Sequence, residues 1–216
     1  MRSPVGFALA CAAFLAAVPL SPRSAEATSI LCCSASSDAT PASSLDALFD
    51  FDVSGTTLTL TVSNTTSSPN EFNISAVYFN ASGNVTSISF VSATHSAEGD
   101  VTAGWVPLLS SQMVDGFEVF DYGMADGVGE DNPNIIGPGE NIEFVFTVNG
   151  GLAAADFIVE NADGWEIAAK FVNGPGDDSA FGAGDEGFPP IPEPSAALLL
   201  GTALAGLGLL GRGRRS

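Results

Sequence analysis

The sequence predicts an all-β domain, an antiparallel β-sandwich of about seven or eight short strands, with a hydrophobic segment at each end of the chain. Three observations support this fold class. Apolar and polar residues alternate with period two in many short segments, and Gly, Asn and Ser turns separate these segments. Outside the two ends, no long stretch shows the spacing of an amphipathic helix. The 216 residues suffice for one ordinary domain plus terminal segments.

The alternation is clearest between residues 45 and 62. In LFDFDV, Phe51 and Val53 fall on one face and Asp50 and Asp52 fall on the other. After a turn at Gly55, TLTLTV places its leucines and valine on one face and its threonines on the opposite face. Two half-buried segments around a glycine turn predict a pair of neighbouring antiparallel strands.

Further strands are predicted along the rest of the domain, which we place at residues 45–174. FNISAVYFN (72–80) is apolar on both faces and predicts a central strand, followed by VTSISFV (85–91). GFEVFDY (116–122) predicts a strand in the polar middle of the chain. NIEFVFTV (141–148), DFIVE (156–160) and WEIAAKFV (165–172) continue the pattern.

The N-terminus fits a secretory signal peptide over residues 1–27. Arg2 precedes an uncharged run over residues 7–18, and Ala25 and Ala27 form the small-x-small pattern at which such peptides are cut. The run is short for a membrane span, which needs about 20 apolar residues, and a first membrane anchor is the alternative. Residues 28–44 are then expected to be a flexible N-terminal segment, and the Gly/Pro/Asp-rich residues 175–191 a flexible linker.

Charge excludes nucleic-acid binding. Of the 25 acidic residues, only Glu26 and Glu193 lie outside residues 28–188, and of the six basic residues only Lys170 lies inside. The body therefore carries 23 acids against one base. Such a surface repels nucleic acid and anionic membranes, and it lacks the residues that neutralise phosphates.

The cysteines predict no disulfide framework. Cys11 would leave with the signal peptide, so Cys32 and Cys33 are the only thiols of the mature chain. Because they are adjacent and close to the new N-terminus, we expect tail residues without a structural role. A vicinal disulfide or an intermolecular bridge in an oxidising compartment is the alternative.

The chain ends PPIPEPSAALLLGTALAGLGLLGRGRRS, over residues 189–216. Its three parts are the motif Pro192-Glu193-Pro194, a 17-residue uncharged run and the basic residues Arg212, Arg214 and Arg215. The run has the minimum length of a single transmembrane helix, and the arginines would hold its end on the cytoplasmic side. A generic tail anchor is the alternative explanation.

This arrangement resembles the PEP-CTERM protein-sorting signal over residues 192–216. The resemblance implies recognition by an exosortase, a membrane-embedded cysteine transpeptidase, with cleavage near the PEP motif. The inner membrane would hold the protein only transiently, before it reaches the cell surface or extracellular matrix of a Gram-negative bacterium. Within the body, LTLTVSNTTSSPNEFNISAVYFN and IIGPGENIEFVFTV are similar to segments of exported PEP-CTERM proteins. The expected function is that of a non-enzymatic surface or matrix protein.

No catalytic residue is predicted. His95, the single histidine, lies in SATHSAEGD and is expected to be a solvated loop residue, and no Gly-x-Ser-x-Gly nucleophile motif occurs. An extracellular glycoside hydrolase is the less favoured alternative, since it needs only two carboxylates at the right separation. Among 23 acids that requirement is met by chance.

Calcium is the one cofactor for which the sequence offers ligands. The carboxylates of Asp121, Asp126, Glu130 and Asp131 crowd one loop, and closely spaced acids supply the hard oxygen ligands that Ca²⁺ uses. A second acidic stretch lies at residues 177–186. Neither matches the EF-hand order, so a solvated acidic loop is the alternative.

Aromatic residues suggest a second function class, a polysaccharide-binding module. Trp105, in TAGWVPLL, is the candidate surface aromatic for stacking on sugars, whereas Tyr78 and Trp165 lie on strand faces and are expected in the core. Asn-x-Ser/Thr sequences occur at Asn64, Asn73, Asn80 and Asn84. In a bacterial protein they mainly reflect strands and turns rich in Asn and Thr.

Overall fold

A computed structural model of the chain describes residues 27–38, 40–128 and 134–185. These residues form fourteen strands and no α-helix, which confirms the predicted all-β class. The strands are β1 (Thr28–Cys32), β2 (Ala35–Ser36), β3 (Ala47–Ser54), β4 (Thr57–Asn64), β5 (Asn73–Phe79), β6 (Ile88–His95), β7 (Gly99–Asp100), β8 (Trp105–Leu108), β9 (Gln112–Val114), β10 (Glu118–Phe120), β11 (Tyr122–Asp126), β12 (Asn141–Val148), β13 (Ile167–Val172) and β14 (Ala180–Gly184). Short 3-10 turns lie at Ala42–Ser44, Thr102–Gly104 and Ala154–Phe157. The count exceeds the expected seven or eight because β1 and β14 were not predicted and five strands have only two to four residues, too few to show alternation. The strand predicted at 156–160 is wrong, since the 3-10 turn Ala154–Phe157 covers its start and residues 158–160 are irregular.

Twelve of the strands form two six-stranded antiparallel sheets. The first sheet has the order β1-β3-β4-β12-β6-β7 and the second has the order β2-β14-β13-β5-β11-β8. β9 and β10 form a separate hairpin. In the first sheet β12, from late in the chain, lies between β4 and β6, and in the second sheet β14 and β13 lie between β2 and β5. Neither sheet is therefore complete without the C-terminal part of the domain.

The pair β3 and β4 follows the predicted alternation. Phe51 lies opposite Leu60 with both side chains buried, and Asp52 lies opposite Thr59 on the outer face. Gly55 has a φ of 65°, which suits the turn between the strands. A slip of one residue would bring the aspartates into the core, so the sequence pattern fixes the register.

The inner faces of the two sheets share one hydrophobic core, which makes the fold sandwich-like. Phe79, on β5 of the second sheet, is fully buried and contacts rings from the first sheet. Its ring centroid lies 5.7 Å from that of Phe51 and 6.1 Å from that of Phe146. β5 lies between β13 and β11, which confirms the prediction of a central strand.

The outer face of the second sheet carries a smaller hydrophobic cluster under the β9–β10 hairpin. Val114, Phe117 and Phe120 of the hairpin region pack over Ala168 and Ala183 of the sheet. Because this face is covered, β5 must be apolar on both sides. Tyr78 and Trp165, which were expected in the core, are half-buried at the edge of this cluster.

The domain is longer than residues 45–174. The segment 28–44, expected to be flexible, contains β1, which pairs with β3, and β2, which pairs with β14. The expected linker 175–191 contains β14, which pairs with β13. These strands were missed because they are short and rich in small residues, and only their pairing partners make them strands. Residues 186–191 lie outside the described residues.

The adjacent cysteines lie where the chain passes from the first sheet to the second. Cys32, at the end of β1, is buried, and it forms a disulfide with Cys33. The next residue, Ser34, donates its N–H to the carbonyl of Ala183 at 2.9 Å. A Cβ on Gly182 of β14 would overlap Cys33, so this crossing requires glycine there. The expectation that Cys32 and Cys33 are tail residues without a structural role is therefore wrong. The structure contains the alternative, a vicinal disulfide.

The predicted delivery segments lie almost wholly outside the described residues. Ala27 is the first described residue and is exposed, whereas Ala25, the PEP motif, the uncharged run 195–211 and the three arginines are not described. In the described ranges, no helix is long and apolar enough to span a membrane.

Candidate functional site

A cavity of about 400 Å³ lies at one end of the two sheets. The chain between β2 and β3 contributes Asp38, Thr40, Pro41 and Ser44, the chain before β5 contributes Asn70 and Phe72, and the β13–β14 loop contributes Pro175 and Asp178. Loops at the end of a sheet framework are common places for binding sites, and this volume lies in the range of small-molecule sites. The cavity is therefore the candidate functional site of the domain.

A glycine turn and an aromatic ring shape the base of the cavity. Phe72 is only 2% exposed, and its ring meets that of Phe171 edge to face at 6.4 Å. Gly174 lies against the Phe72 ring so closely that a Cβ would overlap it. The N–H of Gly174 donates to the carbonyl of Asp178 at 3.0 Å, and this contact holds the carboxylate of Asp178 at the cavity.

Thr40 links the two carboxylates of the cavity. Its backbone N–H donates to Oδ1 of Asp38 at 2.7 Å, and its Oγ1 donates to Oδ2 of Asp178 at 2.6 Å. Oδ1 of Asp178 also accepts the N–H of Ser179 at 3.0 Å. Thr40 is 9% exposed, so it is a fixed support. Both carboxylates are thus oriented before any ligand arrives.

The remaining polar groups of the cavity are available to a ligand. The side chains of Ser44 and Asn70 make no hydrogen bond to the described part of the chain. Among the described residues, the lining includes two carboxylates and no Lys, Arg or His. Its chemistry therefore favours ligands that donate hydrogen bonds and disfavours anions.

Trp105 does not form a surface platform. It is 3% exposed, its Nε1 donates to the carbonyl of Asn134 at 3.2 Å, and its ring lies 4.9 Å from that of Phe144 in a T-shaped contact. The prediction that Trp105 is a surface aromatic is wrong. The indole is a core side chain whose polar N–H has found a backbone acceptor, as buried tryptophans usually do.

The predicted calcium ligands are only partly described. Asp121 directly precedes β11 and Asp126 is its last residue, so the two lie about 17 Å apart along the extended chain. Asp121 accepts the N–H of Ala81 at 3.1 Å, and Asp126 accepts that of Val128 at 3.1 Å. Glu130 and Asp131 lie outside the described residues, and within the described ones no three His, Cys, Asp or Glu side chains group as a metal site. Calcium binding stays a prediction.

His95 is buried rather than solvated. The strand expected at 85–91 lies at Ile88–His95, so the histidine ends β6 and is 2% exposed. Its Nδ1 accepts the N–H groups of Ala97 at 3.0 Å and Glu98 at 3.3 Å. The proton of the neutral ring therefore lies on Nε2, which faces Oε2 of Glu140 at 3.4 Å. The imidazole accepts two hydrogen bonds from the β6–β7 turn and contacts Glu140 before β12, which indicates a structural role.

Asp156 is a second polar junction. Its carboxylate accepts hydrogen bonds from Ala153 N at 2.9 Å, Ser82 Oγ at 2.7 Å and Asn84 Nδ2 at 2.9 Å. The backbone donor first, and then the two side-chain donors, hold the pKa of Asp156 below its usual range. The ionised carboxylate thus joins the β5–β6 loop to the turn Ala154–Phe157.

Two of the Asn-x-Ser/Thr asparagines are interior. Asn64 is 1% exposed, and its Nδ2 donates to the carbonyls of Phe72 at 2.7 Å and Ile136 at 2.8 Å. Asn80 is 3% exposed, and its Nδ2 donates to the carbonyl of Trp165 at 2.9 Å. Both asparagines connect separate segments of the fold through side-chain hydrogen bonds to backbone carbonyls. In the folded protein neither side chain is accessible for glycosylation.

Comparison of the chain with protein-family models, with curated proteins and with solved structures gives no match. The cavity has no local signal in the sequence, because its walls come from three segments that meet only after both sheets have formed. The closest sequence indication is the pairing of an aspartate with a proline in two of these segments, Asp38 with Pro41 and Pro175 with Asp178.

Proposed function

We propose that this chain is an exported, non-enzymatic protein of the cell surface or extracellular matrix, sorted through a C-terminal PEP-CTERM signal. The observation that carries the proposal is the order of three parts at residues 189–216: a Pro-Glu-Pro motif, an uncharged run of 17 residues and an arginine cluster. Each part has a physical use. The run holds the chain in the inner membrane, the arginines stay on the cytoplasmic side, and the motif marks the cut.

Two features of the domain support export. Cys32 and Cys33 form a disulfide, and disulfides persist in the periplasm and outside the cell rather than in a reducing cytoplasm. The body carries 23 acids and Lys170 as its one base, a balance that keeps a protein soluble and away from anionic surfaces. An exosortase is the processing partner that the signal calls for.

The test is the intact mass of the protein recovered from each cell fraction of its native host. A species that begins at Thr28 and ends near Pro192-Glu193-Pro194, found outside the inner membrane, is the expected result. A species that keeps residues 195–216 in the inner membrane would instead make the protein a tail-anchored periplasmic one.

A matched pair of variants sharpens this test. Replacing Pro192, Glu193 and Pro194 together with alanine should leave the full-length chain in the inner membrane. The control replaces Pro189 and Pro190 with alanine, a similar change just outside the motif, and processing should continue. Equal processing of both variants would contradict recognition of the motif.

A further inference from the structure

We propose that the cavity between the three loops binds a sugar without anionic groups, as a terminal residue of a neutral polysaccharide would present it. The proposal does not depend on how the protein is delivered, and it gives the domain a binding role of its own. The volume of about 400 Å³ is in the range of small-molecule sites and large enough for one hexose with bridging water.

The carboxylates are arranged to accept sugar hydroxyls. Thr40 donates to one oxygen of Asp38 and one oxygen of Asp178, which fixes both groups. A carboxylate oxygen can accept more than one hydrogen bond, so each group keeps lone pairs for a ligand. Hydrogen bonds from hydroxyls to ionised acceptors are shorter and stronger than those between neutral groups.

The other cavity residues complement a ligand with both polar and apolar surface. Asn70 offers a donor and an acceptor, and Ser44 offers a hydroxyl, and neither side chain is engaged by the described part of the chain. Pro41 and Pro175 add rigid apolar surface against which the C–H face of a sugar ring can pack. Because proline loses no side-chain entropy on burial, this surface is preorganised.

The charge of the cavity selects against acidic sugars. Asp38 and Asp178 place two negative charges at the site, and the only base of the body, Lys170, does not line it. A uronic acid would bring a third negative charge into the same space. The cavity should therefore distinguish glucose from glucuronate, which differ only in the oxidation state of C6.

The experiment titrates the ¹⁵N-labelled mature chain with glucose, N-acetylglucosamine, galactose and glucuronate, and follows the amide resonances of Thr40, Ser44 and Asn70. At least one neutral sugar should shift them with a Kd of about 1–10 mM, as expected for so small a ligand. Glucuronate should shift them at least about tenfold more weakly. Equal binding of glucuronate, or no shift by any of the neutral sugars at 100-fold excess over protein, overturns the proposal. Calcium chloride is titrated separately, and a response to calcium alone makes the cavity a cation site instead.

Matched variants assign the effect to the cavity. Asp178→Asn keeps an acceptor for Thr40 but removes the negative charge. It should weaken neutral-sugar binding about tenfold. It should also reduce the ratio of the affinity for the neutral sugar to the affinity for glucuronate. Asp163→Asn makes the same chemical change on an exposed turn before β13, at the opposite end of the second sheet, and should alter neither property. Native amide spectra are required of both variants. Equal effects of the two substitutions would show that general charge, rather than this cavity, governs binding.

Discussion

Replacing Asn64 with alanine should lower the free energy of unfolding by about 2–4 kcal/mol. Asn64 is the last residue of β4 and uses its whole side-chain amide inside the protein. Nδ2 donates to the carbonyls of Phe72 and Ile136, and Oδ1 accepts from the N–H of Thr66 at 3.1 Å and from its Oγ1 at 2.6 Å. The residue ties the end of β4 to two separate segments.

The size of this loss depends on whether the groups that bond to Asn64 keep other hydrogen-bond partners. A hydrogen bond contributes about 0.5–1.5 kcal/mol net, so the four bonds together set an upper range of about 2–6 kcal/mol. The carbonyl of Phe72 keeps a bond from Thr66 Oγ1 at 3.1 Å, and that of Ile136 keeps one from the N–H of Ile74 at 2.9 Å. Because neither carbonyl is left bare, we expect the lower part of the range.

The assay is urea denaturation of the purified chain, followed by tryptophan fluorescence, together with a thermal scan. A domain of this size loses about 2–4 °C of Tm per kcal/mol, so a fall of about 5–15 °C is expected. Thr65→Ala, at the exposed neighbouring position, is the control and should change stability by less than about 0.5 kcal/mol.

Asn64→Asp gives an independent check of the same contacts. At neutral pH its carboxylate would face two carbonyl oxygens, so it should cost more than alanine, and protonation in acid should recover part of the loss. An Asn64→Ala protein as stable as the unmodified chain, or an aspartate tolerated at pH 7, would refute the role assigned to this amide.

Three further predictions follow. Trp105→Ala should cost about 3–5 kcal/mol in urea denaturation because the indole is buried, whereas a ligand platform on the surface could be removed without loss of stability. Gly123→Ala should cost about 1–3 kcal/mol, since its Cβ would lie 2.7 Å from the backbone oxygen of Val77, while Gly150→Ala, with space around it, should be nearly neutral. The stability difference between the unmodified chain and Asp156→Asn should be constant from pH 7 to about pH 5 and should shrink below that, because a carboxylate with a lowered pKa stabilises the fold only while ionised. A difference that grows as the pH falls would contradict this sign.

Prediction from the sequence succeeded where one strand carries its own pattern. β3, β4 and β12 were placed from alternation alone, and the inward residues of β12 are buried as expected. Prediction failed at β1, β2 and β14, whose strand character comes from partners far away in the chain. It also failed for His95 and Trp105, since a single polar or aromatic residue shows no period from which burial could be inferred.

The sequence by itself determined the all-β class, the faces of the long strands and the acidic balance, and the proposed sorting route rests on the sequence alone. These properties are local or additive: alternation acts within one strand, charge is a sum over the chain, and a sorting signal is a contiguous segment. Only the tertiary structure decided three features: the disulfide where the chain passes between the sheets, the hydrogen bonds of the buried Asn64 and His95, and the cavity around Thr40. Each of these depends on segments brought together by sheet pairing, and no short-range pattern specifies which backbone groups or side chains will meet there.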